Sequence, residues 1–223
     1  MPAGRDGNAW NNPWENRSGR SAAAAFAETV QQTLFHPAAF FRGTAPDSGA
    51  GAALLYAMLV GTLSIAVAFL WQRALGDQLA VDHGGRFLTF FSDRIALVVM
   101  LIIVPVAVAS LCIIGAAVQH VALRVLGGAT GTYRTTLKAV CYSSSALAFN
   151  VFPLCGTLIG AVWQVVVQVI GMRELHRTST ARAFWAWFLP ILIAICLAGA
   201  LFFAMMLGLL KMMLQFGDGN FAA

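Results

Sequence analysis

The stretch that decides the fold is AVCYSSSALAFNVFPLCGTLIGAVWQVVVQVIGM, residues 139–172, which holds 34 positions and no charged side chain. A single helix of that length would run about 51 Å, far beyond the roughly 30 Å of bilayer hydrocarbon. Pro153 and Gly156 in Phe152-Pro153-Leu154-Cys155-Gly156 mark a reversal, because proline cannot continue a helix and glycine accepts a tight turn. The stretch reads as two short helices, residues 135–152 and 154–172, joined by a tight hairpin, with Lys138 snorkelling outward. Two full crossings need slightly more chain than this. A re-entrant pair meeting inside the bilayer is the alternative.

Three further apolar segments surround this pair. Residues 49–71 and 95–118 each exceed the roughly 20 residues a crossing requires. Residues 183–210 are longer, so this segment tilts or opens with the interfacial run Phe184-Trp185-Ala186-Trp187. Pro105 and Pro190 lie inside the second and last segments and predict kinks there.

Composition agrees. The chain of 223 residues is 59% apolar and 10% charged, where an ordinary soluble domain carries about 25% charged residues. Its mean hydropathy is +0.76. Fourteen basic and nine acidic side chains cannot keep a globule of this size wetted. A soluble enzyme, a disordered regulator and a secreted disulfide scaffold are excluded. The net charge of +5 is spread over loops beside apolar segments, with no run of five basic residues. It reads as topogenic charge, with no nucleic-acid partner. Cys112, Cys141, Cys155 and Cys196 show no C-x-x-C spacing and read as small apolar side chains, so no metal or other cofactor is expected.

Residues 1–20 are polar and read as a disordered cytoplasmic lead, interrupted by Pro13-Trp14-Glu15, whose tryptophan suits the bilayer interface. Residues 21–48 follow as an amphipathic helix and linker. Phe26, Val30 and Leu34 recur at four-residue spacing, Ser21 caps the start and Pro37 ends the helix. Such a helix lies in the headgroup plane or packs on the spans. The first long apolar run begins near Gly49, so the first span is expected to be an uncleaved anchor. Residues 49–214 form the five-helix domain and 215–223 a short outer tail.

Basic residues choose the orientation. With five crossings and the N-terminus inside, Arg5, Arg17, Arg20, Arg42, Arg124, Arg134, Lys138, Arg173, Arg177 and Arg182 face the cytoplasm, and Arg73, Arg86, Arg94 and Lys211 face outward. That is ten against four. Reading 139–172 as one pass gives eight against six, so five crossings are favoured.

Every ionisable residue is placed in a loop or near a helix end, which argues against a proton-coupled transporter, a voltage sensor or a pump. Uncharged polar residues remain. Gln164 and Gln168 share one helical face and could meet Asn150 across the turn, either lining a path for a small solute or bonding helix to helix. Gly156 and Gly160 form a G-x-x-x-G pair suited to close helix packing. Arg173, Glu174, His176 and Arg177 form the densest charged cluster, a candidate cytoplasmic surface for docking or for anionic lipid. Ser143, Ser144 and Ser145 lack a nearby base or an oxyanion motif, H-E-x-x-H is absent, and Gly127–Gly131 lacks the Lys-Ser/Thr ending of a phosphate loop. No catalytic site is expected.

Several motifs resemble the Yip-one (Ypt-interacting protein) domain family in its bacterial form. They are Tyr142-Ser143, then Phe152-Pro153-Leu154-Cys155-Gly156-Thr157-Leu158-Ile159-Gly160, then Trp163. Val169-Ile170-Gly171-Met172-Arg173-Glu174-Leu175-His176 follows, then Arg182-Ala183 and Leu189-Pro190. Pro13-Trp14-Glu15 and the run Thr33-Leu34-Phe35-His36-Pro37-Ala38-Ala39-Phe40-Phe41 look like the approach to that domain. The resemblance implies five membrane helices with a cytoplasmic N-terminus. Eukaryotic relatives are associated with Rab-type GTPases, vesicle traffic and membrane shaping. Some similar bacterial chains carry a zinc ribbon before Pro-Trp-Glu, whereas here no cysteine precedes Cys112.

The reading is an all-α, multi-pass protein of the bacterial inner membrane, non-enzymatic, that organises membrane components through its cytoplasmic face. Its expected partners are membrane lipids, another membrane or cytoplasmic protein, and further copies of itself. The alternative is a passive channel for a small neutral or polar solute.

Overall fold

The computed structural model describes residues 11–47, 49–79, 98–153 and 155–219. Among them every regular element is helical. Helix α1 spans Ala22–Phe35, α2 Pro37–Arg42 and α3 Ala50–Leu79. A wide π-helical turn, Val99–Ile103, leads into α4, Val104–Val125. Helix α5, Tyr133–Ser143, tightens into a 3-10 helix over Ser144–Val151. Helices α6, Gly156–His176, and α7, Thr180–Gly219, complete the order. Most of the expected outer loop, Leu154 of the hairpin and residues 220–223 of the tail lie outside the described residues.

Among the described residues, four helices are long and apolar enough to cross a bilayer: Ala50–Trp71, Val99–Val125, Gly156–His176 and Thr180–Met213. The other expected span, residues 135–152, is not among them. It changes from α to 3-10 winding at Ser144 and carries Lys138 together with several hydroxyl side chains. Its position explains its composition. Residues 135–146 are all buried, and α5 packs on α3, α4 and α6. A helix enclosed by protein needs no apolar face toward lipid, so hydropathy underrates it.

The tightening has a local cause. Ser143, Ser144 and Ser145 each turn their hydroxyl back onto a carbonyl three residues earlier, at Val140, Cys141 and Tyr142, over 2.7, 2.6 and 2.8 Å. Three consecutive bonds of this kind compete with the regular ladder and favour the narrower turn. The π turn has a neighbour that explains it too. Pro105 follows two residues after it, and its missing N–H leaves a gap in the ladder that a wider turn accommodates.

Helix α1 starts where Ser21 accepts the Ala24 N–H at 3.2 Å, and α2 begins at Pro37. The pair does not project away from the spans. Phe26 near the start of α1 packs on Tyr56 of α3, with ring centroids 5.4 Å apart. The last turn reaches Trp163, whose indole donates to the Leu34 carbonyl at 3.1 Å. That bond satisfies one of the carbonyls every helix leaves open at its C-terminus. Helix α2 then returns, placing Phe41 against Gly171 of α6. Trp163 lies thirteen residues before His176, so the α1–α2 tip sits about 20 Å along α6 from its C-terminal end.

Glycine allows the closest helix approach. A Cβ on Gly156 would collide with the Phe149 carbonyl oxygen, and one on Gly160 would stand 2.8 Å from the Ala146 carbonyl oxygen. Both obstacles are backbone and cannot swing away. Gly199 of α7 has open space around it. Gly160→Ala is therefore expected to destabilise the protein by about 1–3 kcal/mol, the usual cost of overpacking. Gly199→Ala should leave stability unchanged or raised by about 0.5–1 kcal/mol. Thermal unfolding in lipid nanodiscs separates the two variants, and equal melting temperatures would contradict the packing described.

Candidate functional site

The most elaborate polar arrangement lies where the N-terminal segment meets the start of α5. The expectation of a lead without structure fails for residues 11–16, because Asn12 and Trp14 are buried and Glu15 is half-buried. Asn12 organises the turn. Its Oδ1 accepts the N–H groups of Trp14 and Glu15 at 3.0 and 3.3 Å, and its amide donates to Thr44 Oγ1 at 3.2 Å. The Trp14 indole donates to the Ala52 carbonyl at 2.7 Å, fastening the segment to α3. Arg17 lies over the Trp14 ring, its guanidinium carbon 4.3 Å from the centroid.

This turn delivers Glu15 to Lys138. The Lys138 ammonium lies 2.8 Å from each Glu15 carboxylate oxygen and donates to the Ala45 carbonyl at 2.6 Å. The Lys138 side chain is 0% exposed, so the expectation that it snorkels outward is corrected. Its three donors have acceptors inside the protein, which makes an inward position tolerable. Tyr142, one turn along α5, donates its hydroxyl to Glu15 Oε1 at 2.7 Å. Burial pushes the Glu15 carboxyl above its ordinary range, while the adjacent Lys138 charge and the hydrogen bonds from Lys138 and Tyr142 pull it back. Gly49, at φ 66°, passes so close that a Cβ there would lie 2.9 Å from Glu15 Oε2.

Aromatic rings wall the pair. Tyr142 packs between Phe40 and Tyr56 at centroid distances of 5.1 and 5.3 Å, and Trp14 stands 5.8 Å from Tyr56. The Tyr56 and Ser145 hydroxyls are 2.7 Å apart, which extends the polar chain to the 3-10 segment. Sequence reasoning named Glu15 and Tyr142 only within family-like motifs and gave neither of them, nor Asn12 or Tyr56, a role in a site. The available signal was the lone lysine just inside an apolar segment, yet nothing in the sequence says which of nine acids meets it.

The residues singled out from sequence are dispersed. Asn150 donates to Ser64 Oγ of α3 at 2.7 Å, and Gln168 donates to Gln119 Oε1 of α4 at 2.7 Å. Gln164 is half-buried on α6. The three do not form one cluster, since Asn150 and Gln168 are bonded to different helices. Arg173, Glu174 and Arg177 lie at the C-terminal end of α6, where Arg173 Nη2 meets Glu174 Oε1 at 2.6 Å and Arg42 Nε stands 3.8 Å from Glu174 Oε2. His176 does not belong to that surface. It is fully buried, with Nδ1 accepting the Gly131 N–H at 3.1 Å and Nε2 lying 2.8 Å from Thr136 Oγ1. Among the described residues, no group of three or more His, Cys, Asp or Glu side chains is placed to hold a metal ion.

The family model described as Yip1 domain matches residues 32–203, more than three quarters of the chain. The chain belongs to the Yip1 family. No curated protein and no solved structure matches it. The Yip1 match runs from the last turn of α1 into α7 and includes Lys138, but Asn12, Trp14 and Glu15 precede it. Lysine and glutamate thus come from different parts of the chain. The Yip1 family is a membrane-protein family not known for catalysis, and the four apolar helices make this chain an integral, multi-pass membrane protein.

Removing one partner of a buried ion pair strands the other. Lys138→Met is expected to cost about 3–5 kcal/mol, whereas Glu15→Leu combined with Lys138→Met should recover a large part of that loss. Chemical unfolding of the three proteins in mixed micelles measures the coupling. Additive losses would show that the two groups do not interact.

Proposed function

We propose that this Yip1-family protein is a non-enzymatic organiser of the bacterial inner membrane, working through a rigid cytoplasmic face. One observation supports this reading above the others. The segment before the first span is welded onto the bundle by the buried Glu15–Lys138 pair, so the surface above it is preorganised. Arg42, Arg173, Glu174 and Arg177 lie at this end of the molecule. Membrane lipids, a protein partner and further copies of the chain are the candidate associates.

Five crossings with the N-terminus inside suit this reading. Eleven α residues followed by eight 3-10 residues span roughly 32 Å, enough for the hydrocarbon despite the short sequence. The connections 126–132 and 177–179 are short, which favours antiparallel neighbours and an α5 that crosses with the others. The channel alternative draws less support. Asn150 and Gln168 spend their donors on neighbouring helices rather than on a shared opening.

The test is extraction in native lipid nanodiscs and mass spectrometry of what copurifies, comparing wild type with Arg173→Ala/Arg177→Ala. A stoichiometric protein or anionic lipid retained by wild type and depleted severalfold in the variant is the expected result. Association unchanged by both substitutions removes this surface. Solute flux in proteoliposomes that disappears on Gln164→Leu would move the assignment to the channel.

A further inference from the structure

Behind the cytoplasmic end of α6 lies a second polar chain, and it contains no carboxylate. His120 of α4, Thr136 of α5 and His176 of α6 are all buried. Thr136 Oγ1 stands 2.8 Å from His120 Nδ1 and 2.8 Å from His176 Nε2, with the two rings 5.9 Å apart. The α4–α5 connection closes over them. The Gly131 amide donates to His176 Nδ1 at 3.1 Å, and the Thr130 hydroxyl donates to the His176 carbonyl.

Every proton in this chain follows from that one amide. A backbone N–H can only donate, so His176 Nδ1 is unprotonated and its neutral ring carries hydrogen on Nε2, facing Thr136. The Thr136 hydroxyl accepts there and has its single hydrogen left for His120 Nδ1. If His120 donated instead, that hydroxyl hydrogen would have no acceptor. His120 therefore holds its proton on Nε2, an atom that is buried and has no partner. Both rings are fixed as neutral tautomers, and each acceptor nitrogen already receives a hydrogen. A second proton on His176 must occupy Nδ1 and oppose the Gly131 N–H, donor against donor.

We infer that His120, Thr136 and His176 form a proton-sensitive latch that holds the Leu126–Thr132 connection against α6 and releases it when the pair becomes charged. Other groups face the pair from the packed elements. Arg124 lies one turn beyond His120 on α4, and Tyr133 of α5 stands edge-on to the His120 ring at 6.2 Å. Asp47 in the linker before α3 accepts from Thr132 and Thr135 at 2.9 and 3.3 Å, and Arg182 of α7 donates to the Gly127 carbonyl at 3.3 Å. Arg124 and Arg182 oppose added positive charge, and Asp47 favours it. Thr130 and Thr132 are exposed, so the latch lies one layer beneath solvent.

The test is hydrogen exchange of residues 126–132 in nanodiscs between pH 8 and pH 3.5, corrected for the intrinsic pH dependence of amide exchange. Wild type should lose protection at Gly131 by about fivefold or more on acidification, the loss of one hydrogen bond. His176→Asn keeps an acceptor near the Nδ1 position but does not titrate, and should show protection independent of pH. His120→Asn serves as the second variant and should shift the transition. A flat wild-type profile overturns the latch whatever the variants do, as does an acid transition that persists unchanged in His176→Asn.

Discussion

A lysine ammonium enclosed in an apolar bundle is the constraint around which the rest of this structure is arranged. Desolvating an isolated charge costs more than most folds can offset, so Lys138 requires a carboxylate and filled donors. Meeting that requirement recruits Glu15 from a segment 123 residues away. Asn12 shapes the turn that carries Glu15, Gly49 leaves it room, and Tyr142 supplies a further donor. The buried aromatic rings of Trp14, Phe40, Tyr56 and Tyr142 cluster beside the pair. What reads as a loose leader becomes the cover of the bundle.

The same constraint accounts for the character of α5. Its polar side chains are concentrated where the rest of the protein surrounds it, and several find partners there. Lys138 and Tyr142 turn to Glu15, Thr136 turns to two histidines, and Ser145 turns to Tyr56. The apolar area that lipid requires is supplied by α3, α4, α6 and α7, whose large apolar side chains remain exposed on the protein surface. Helix α7 is the extreme case. Its most apolar window buries none of its residues, while Ala183 and Ala186 near its start pack closely on the bundle. Helix α5 thus contributes mostly buried contacts and α7 mostly exposed apolar area, while α3 and α6 contribute both.

The end of the bundle that carries Arg42 and Arg173 combines two kinds of polar contact. The Glu15–Lys138 pair is fully bonded and has no vacant donor, which suits a permanent joint. The His120–Thr136–His176 chain ends in an unpartnered nitrogen and depends on neutral rings. A joint of the first kind resists change and one of the second kind responds to it. Together they give the N-terminal cover and the α4–α5 connection different susceptibilities at the same end of the molecule.

Apolar run length and composition were sufficient, from sequence alone, to establish an all-helical membrane protein, because crossing hydrocarbon demands long uninterrupted apolar helices. The family was readable as well, in short motifs such as those around Gly156, Trp163 and Met172. Ser21 and Pro37 bounded α1 from local rules, since capping and the missing proline N–H act within a few residues. Partnership was decided only in three dimensions. Lys138 looked like a snorkelling residue because helical position says nothing about what stands opposite, and His176 looked like surface because it adjoins three charged neighbours. Asn150 and Gln168 were each drawn to another helix, since hydrogen-bond partners are set by which helices touch. Burial is a property of the assembled bundle, and the choice among nine acids for one lysine is made there.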